Sequence, residues 1–175
     1  MMLRTTSSIK KGHKEQLNIL IYGYGNPGRQ DDGLGNAFVN RIREWVAVEG
    51  LHDFTFDSNY QLNIEDAEAI ADKDLVIFAD ASKEDIEDFC LSRVDGTNDV
   101  SFTTHAASPG YIVKLCEELF NKKPLVLLLH IKGYEWEFTE GISSKVKANL
   151  EAALHYMKKK LIRPDNFLKP HLKYC

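Results

Sequence analysis

Cysteine is scarce in this 175-residue chain: Cys90, Cys116 and Cys175 are the only three, odd in number and far apart. With no C-x-x-C pair, neither a zinc knuckle nor a dithiol redox centre is indicated. Reduced thiols are the expectation, in keeping with a reducing cytosol. Long apolar runs are missing too. The longest, Pro124 to Ile131, falls far short of the roughly 20 residues needed to span a bilayer and reads as a buried strand. Met1 to Lys14 is polar and basic without the apolar stretch of a secretory signal. No membrane association and a cytoplasmic location are therefore expected. Positive charge is short as well: 22 Lys and Arg against 26 Asp and Glu leave a net charge of −4, a poor basis for a broad nucleic-acid surface. Repeats and low-complexity tracts are also absent. What remains is an ordinary globular composition, 43% hydrophobic and 27% charged, long enough to build a core without disulfide or metal staples.

The pattern along the chain alternates strands with helices. Residues 1–16 are expected to be a flexible arm, 17–162 a single domain and 163–175 an extended tail. Leu17 to Tyr22 (LNILIY) is a continuous apolar run typical of a strand covered on both faces. After a Gly-rich loop, Leu34, Ala37, Phe38, Ile42, Trp45 and Val46 recur at helical spacing. Asp53 to Asp57 alternates like a second strand, and Asn63 is placed to cap a short helix facing Ile64, Ala67 and Ile70 inward. Leu75 to Ala79 (LVIFA) reads as a third strand with Asp80 at its carboxyl end. Residues 82–99 read as a charged surface excursion, and Val100 to Thr103 as a weak strand delivering His105. Ser108 with Pro109 starts a helix whose inward face is read as Ile112, Val113, Leu115, Cys116, Leu119 and Phe120. Leu125 to Ile131 is the last core strand and Tyr134 to Phe138 an extended edge segment. Ser143 or Ser144 caps a final helix carrying Val146, Leu150, Leu154, Met157 and Leu161 inward. This alternation predicts an α/β fold in three layers: a mostly parallel twisted sheet of about five strands with helices on both faces. Ligands in such folds bind beyond the carboxyl ends of the strands.

The loop after the first strand concentrates the unusual residues: Gly23-Tyr24-Gly25-Asn26-Pro27-Gly28-Arg29-Gln30-Asp31-Asp32-Gly33-Leu34-Gly35. Gly23, Gly25 and Gly28 formally match a dinucleotide fingerprint, but a pyrophosphate would then lie against Asp31 and Asp32, and Asp57 comes late for the ribose-binding acid. Gly-Asn-Pro-Gly is also similar to the opening of peptidyl-tRNA hydrolases, yet the following stretch contains no His and the acidic total suits tRNA poorly. In a third reading the acids are the point of the loop. Flanking glycines let the backbone turn sharply, and consecutive carboxylates point apart. One can serve chemistry while the other holds the loop or caps the next helix.

Along most of its length the chain resembles the hydrogenase maturation proteases. Gly23-Tyr24-Gly25-Asn26 with Asp31-Asp32-Gly33-Leu34-Gly35 matches that family's opening motif. Tyr60-Gln61-Leu62 with Glu65, Val76 to Ser82, Thr104-His105 with Ser108-Pro109, and Gly141-Ile142-Ser143 resemble later family segments in the same order. The resemblance implies an endopeptidase that removes the C-terminal extension of a nickel–iron hydrogenase large-subunit precursor after nickel insertion. It also implies that Asp32, Asp80 and His105 bind the nickel, which the substrate brings, and carry the catalysis. Cadmium or zinc are plausible surrogates. The first of these residues is Asp where many members carry Glu, and 83–99 has no counterpart. The partner implied is the precursor, with a monomeric enzyme. The competing function is a non-catalytic metallochaperone or assembly factor for the same precursor.

Two carboxylates and an imidazole form a donor set suited to a borderline divalent ion, and three ligands leave coordination positions open. For bond cleavage, metal polarisation and a carboxylate general base with a raised pKa both remain open. No Ser-His-Asp or Cys-His pattern points to a covalent route. His130 reads as a core or edge histidine.

Overall fold

A computed structural model describes residues 17–98 and 107–169 of the chain. Five strands form one sheet: β1 (Ile19–Tyr24), β2 (Phe54–Asn59), β3 (Leu75–Ser82), β4 (Phe89–Arg93) and β5 (Leu125–Lys132). Their spatial order is β2-β1-β3-β5-β4. β1 pairs in parallel with β2 and β3, β3 pairs in parallel with β5, and only β4 runs antiparallel, against β5. The apolar runs of β1 and β3 occupy the middle, where both faces are covered, so neither strand needs to alternate in character.

Four α-helices cover the faces: α1 (Leu34–Glu49), α2 (Asp66–Ala71), α3 (Pro109–Phe120) and α4 (Lys147–Leu161). On one face Phe38 and Ile42 of α1 and Leu150, Leu154 and Met157 of α4 close over Ile21, Ile77 and Leu129. On the other, Ile70 of α2 and Ile112, Val113 and Cys116 of α3 close over Tyr22, Phe78 and Val126. The predicted three-layer architecture is the one observed. Among the described residues no helix is long and apolar enough to cross a membrane.

Several local expectations are corrected. Within 82–99, Phe89–Arg93 forms the fifth strand, because Leu91 is buried against the sheet while Cys90 and Ser92 are partly covered and Arg93 is exposed. The segment after residue 162 is not extended: Pro164–Leu168 is a 3-10 turn, and Phe167 is buried in the core of the α1 and α4 face. Ile64, Leu119 and Phe120 point to solvent, since α2 begins only at Asp66 and the last turn of α3 runs past the sheet. Neither Ser143 nor Ser144 caps α4; Val146 holds the N-cap position with no side-chain cap, and Ser143 bonds elsewhere. Ser108 does cap α3, its hydroxyl accepting from the Tyr111 N–H at 3.2 Å. Tyr134 to Phe138 is not a strand but part of an irregular connection from β5 to α4. Cys116 is free and buried, whereas Cys90, half-buried on the sheet-edge strand β4, is disulfide-bonded rather than reduced. The strand expected over Val100 to Thr103 and the residue His105 lie outside the described residues.

The connection after β1 leads outward to β2, and the chain then returns to the opposite side of β1 for β3. The order thus reverses between β1 and β3, which opens a crevice at their carboxyl ends. Gly35, in the first turn of α1, presses into that crevice: a Cβ there would overlap the carbonyl oxygen of Ala79 and lie 2.6 Å from that of Tyr24. Both obstacles are backbone and cannot swing aside. Gly35→Ala is therefore expected to destabilise the fold by about 2–4 kcal/mol, as overpacking against fixed atoms does. Urea denaturation measures it, and a loss under about 0.5 kcal/mol would contradict this packing.

Candidate functional site

The crevice is where the sequence's acidic loop meets the end of β3. After Tyr24 the backbone turns at Gly25, whose φ of 130° excludes ordinary side chains. Its N–H donates to the carbonyl of Asn59 at 3.1 Å, which ties the loop to the end of β2. Asn26 organises the next step. Its side-chain oxygen accepts from the Gly28 N–H at 2.9 Å, and its own N–H donates to Oδ2 of Asp32 at 3.1 Å. Residues Gln30–Gly33 then form a 3-10 turn that runs directly into α1.

The two consecutive acids have opposite fates. Asp31 is fully buried. Its Oδ2 accepts from the N–H groups of Tyr134 and Glu135, each at 2.8 Å, and from the Ser143 hydroxyl at 3.1 Å. Its Oδ1 accepts from the Ser143 N–H at 2.8 Å. This carboxylate staples the connection between β5 and α4 onto the loop. Asp32 is only partly buried, and its carboxylate's one hydrogen bond among the described residues is that from the Asn26 N–H. One acid holds the loop and the other is left available.

Asp80 sits on β3, and its Oδ1 accepts from the N–H of Ala81 at 2.8 Å. Burial pushes its carboxyl up to about 7; the Ala81 N–H and the Tyr24 hydroxyl act against the rise, and the negative charge of Asp32 adds to it. That effect places Asp80 within electrostatic reach of the Asp32 carboxylate. Tyr24 was not singled out from the sequence, yet its hydroxyl faces Asp80 closely enough to act on that carboxyl's pKa, and its ring meets Phe78 edge-on at 6.3 Å. Burial first, and then the Asp80 charge, raise the Tyr24 hydroxyl well above its ordinary value, so it stays a donor at neutral pH. The signal lay in the motif itself: position 24 was the one large side chain between two glycines.

His130 stands opposite Asp80 in the register of β3 and β5. Its Nε2 lies 3.4 Å from the Ser92 hydroxyl, and burial lowers its pKa, so at neutral pH it is an uncharged, half-buried edge histidine. Among the described residues no three His, Cys, Asp or Glu side chains form a group that could hold a metal ion. His105, the third member of the expected set, lies outside them. Of that set, Asp32 and Asp80 lie within electrostatic reach of one another. Their oxygens suit a hard or borderline divalent cation, and the Asp32 carboxylate is not consumed by its surroundings.

No family model matches the chain, and no curated protein sequence matches it. Solved structures do. The chain is similar to a NiFe hydrogenase maturation protease, HycI from Thermococcus kodakarensis KOD1, at 22% identity and a TM-score of 0.67, over 86% of this chain and 96% of that one. It is similar to the hydrogenase maturating endopeptidase HybD from E. coli at 20% identity and a TM-score of 0.60, over 85% of this chain and 94% of that one. A hydrogenase 2 maturation peptidase from Thaumarchaeota archaeon SCGC_AB-539-E09 matches at 19% identity and a TM-score of 0.57, over 82% of this chain and 97% of that one. The chain thus shares the fold of these peptidases from end to end of their length.

Proposed function

We propose that this chain is an endopeptidase that removes the C-terminal extension of a nickel–iron hydrogenase large-subunit precursor once nickel is in place. The observation that carries the reading is the acid pair Asp32 and Asp80, set at the switch point of a sheet whose fold is shared with hydrogenase maturation peptidases. In this reading Asp32, Asp80 and His105 grip the nickel that arrives in the substrate, which makes the metal a recognition element and not a resident cofactor. Two oxygens and an imidazole leave coordination positions for ligands from the precursor. The protein acts as a monomer in the cytoplasm, without nucleic acid or membrane.

The residues support proton transfer during peptide hydrolysis. Before nickel arrives, burial holds the Asp80 carboxyl near 7; once it ligates the metal it is ionised, and its uncoordinated oxygen is the group open to proton transfer. Asp80 can take a proton from an attacking water and return it to the leaving amine. The Ala81 N–H, donating to Asp80, orients the carboxylate, the Tyr24 hydroxyl opposes the rise of its pKa, and Asp32, held through Asn26, supplies a charge that stays on one side of the crevice.

The test is incubation of purified protein with nickel-loaded and nickel-free precursor. Loaded precursor is expected to shorten and metal-free precursor to persist at least 100-fold longer. Equal cleavage of both would remove the recognition role of nickel. Asp32→Ala and His105→Ala are expected to abolish shortening while leaving the circular dichroism spectrum unchanged. Precursor that binds but keeps its length would instead identify a non-catalytic assembly factor.

A further inference from the structure

The connection from β5 to α4, residues 133–143, runs as a strap beside the candidate site and is tied to the loop that carries Asp32. Besides the bonds to Asp31, the Gln30 N–H donates to the Thr139 carbonyl at 2.9 Å. The Glu137 N–H donates to the Gln30 side chain at 3.0 Å, and the Asp31 N–H to the Glu135 carbonyl at 3.1 Å. Such a segment loses little freedom on binding, because it is already ordered.

This rigid strap presents aromatic side chains outward. Phe138 is 83% exposed and Tyr134 47% exposed. The Arg29 guanidinium lies 4.8 Å from the centre of the Phe138 ring, and Lys83 Nζ lies 4.5 Å from that of Trp136. Arg29 is also uncompensated: it has no carboxylate partner among the described residues, its buried Nε has no hydrogen bond, and its NH2 group makes one contact, at 3.4 Å, to the Trp136 carbonyl. Aromatic residues and arginine on a preorganised segment are the residue types that dominate protein interfaces. Arg29 is three residues from Asp32, so a partner covering Phe138 is also placed at the crevice.

We propose that Phe138 on the strap, paired with Arg29 of the loop beside it, is the docking point for the folded precursor itself, and that the precursor meets the pair with an apolar pocket that has a carboxylate at its edge. The inference rests on the peptidase reading and adds where the substrate protein is held. Phe138 fills the pocket, Arg29 meets the carboxylate, and the strap's tie to Asp31 keeps this contact in register with Asp32.

The experiment measures precursor binding by biolayer interferometry and cleavage kinetics on the nickel-loaded precursor, for the full chain and its variants. Phe138→Ala is expected to raise both Kd and KM at least tenfold, with kcat within twofold and Tm unchanged. Phe138→Trp is expected to restore most of the affinity. Arg29→Gln is expected to weaken binding and flatten its salt dependence. Val48→Ala, which trims an equally exposed apolar side chain on α1, serves as the control and changes neither constant. If wild type cleaves and Phe138→Ala matches its KM within twofold, the docking proposal is overturned and the peptidase reading stands. If wild type binds precursor through Phe138 but leaves it uncut, the docking proposal stands and the peptidase reading falls. Light scattering that shows a dimer dissolved by Phe138→Ala, with KM unmoved, assigns the surface to a second copy of the chain and overturns the proposal.

Discussion

Asp31→Asn is expected to destabilise the protein by about 3–5 kcal/mol, a drop in Tm of roughly 10 °C for a domain of this size. The Asp31 carboxylate is fully buried and accepts four hydrogen bonds, from three backbone N–H groups and one hydroxyl. An amide in its place keeps one oxygen and turns an NH2 group toward donors, so backbone N–H groups lose their acceptor inside the protein. Each buried polar group left unpaired costs about 1–3 kcal/mol, and the charge-assisted bonds lost are the stronger kind. The damage should concentrate where the bonds were. Amide exchange in residues 133–143 and 29–32 should accelerate more than in β1 or β3, and precursor processing should fall because Asp32 loses its fixed backbone. A variant within 1 kcal/mol of wild type, or one that loosens the whole sheet evenly, would show that Asp31 is not the staple described above.

Asp80→Asn should do the opposite to stability and end activity. Asp80 holds a carboxyl whose pKa of about 7 in the fold stands above the ordinary 3.8 of an exposed aspartate. Below about pH 4 the group is protonated whether or not the chain is folded, and it makes no difference. As pH rises from 4 to 7 the unfolded chain releases this proton while the folded one keeps it, so stability declines through that window. Above 7 the folded protein carries the burden of a charge that its solvent exposure leaves only part-buried. Linkage puts that burden at about 2–4 kcal/mol at pH 8. The isosteric amide escapes it. Thermal melts should find Asp80→Asn more stable than wild type by roughly 5–10 °C at pH 8 and indistinguishable from it near pH 4. Processing of the precursor by the same variant should fall at least 1,000-fold. A stabilised but inactive protein is the signature of a strained functional carboxylate. Equal melting temperatures at pH 8 would mean that Asp80 sits in ordinary surroundings.

How much of this was legible beforehand varies by element. The strands Ile19–Tyr24, Leu75–Ser82 and Leu125–Lys132 announce themselves as unbroken apolar runs, because strands buried on both faces have no solvent side to mark. The helix Leu34–Glu49 and the cap at Ser108 rest on local rules that act within one turn. Phe89–Arg93 was hidden because an antiparallel edge strand needs only Leu91 as a buried anchor, and the charges around it read as loop. Phe167 was hidden for a similar reason: one apolar residue after two helix-breaking signals carries no periodicity.

The candidate site divides along the same line. From the chain alone came the glycine spacing of the loop, the two adjacent acids, and Asp80 at the end of a buried strand, because each is a matter of residue type at short range. Which acid is spent on structure could not be read there. Asp31 and Asp32 are chemically identical neighbours, and they differ only in what folds against them: residues 134, 135 and 143 come more than 100 positions later and close over Asp31 alone. The electrostatic reach of Asp32 and of the Tyr24 hydroxyl to Asp80, and the exposed ring of Phe138 beside Arg29, are likewise products of the tertiary fold. Local sequence sets which side chains exist and how the backbone can turn around them. Burial and electrostatic neighbourhood depend on residues distant in the chain, and they appear only once the sheet has brought those residues to one edge.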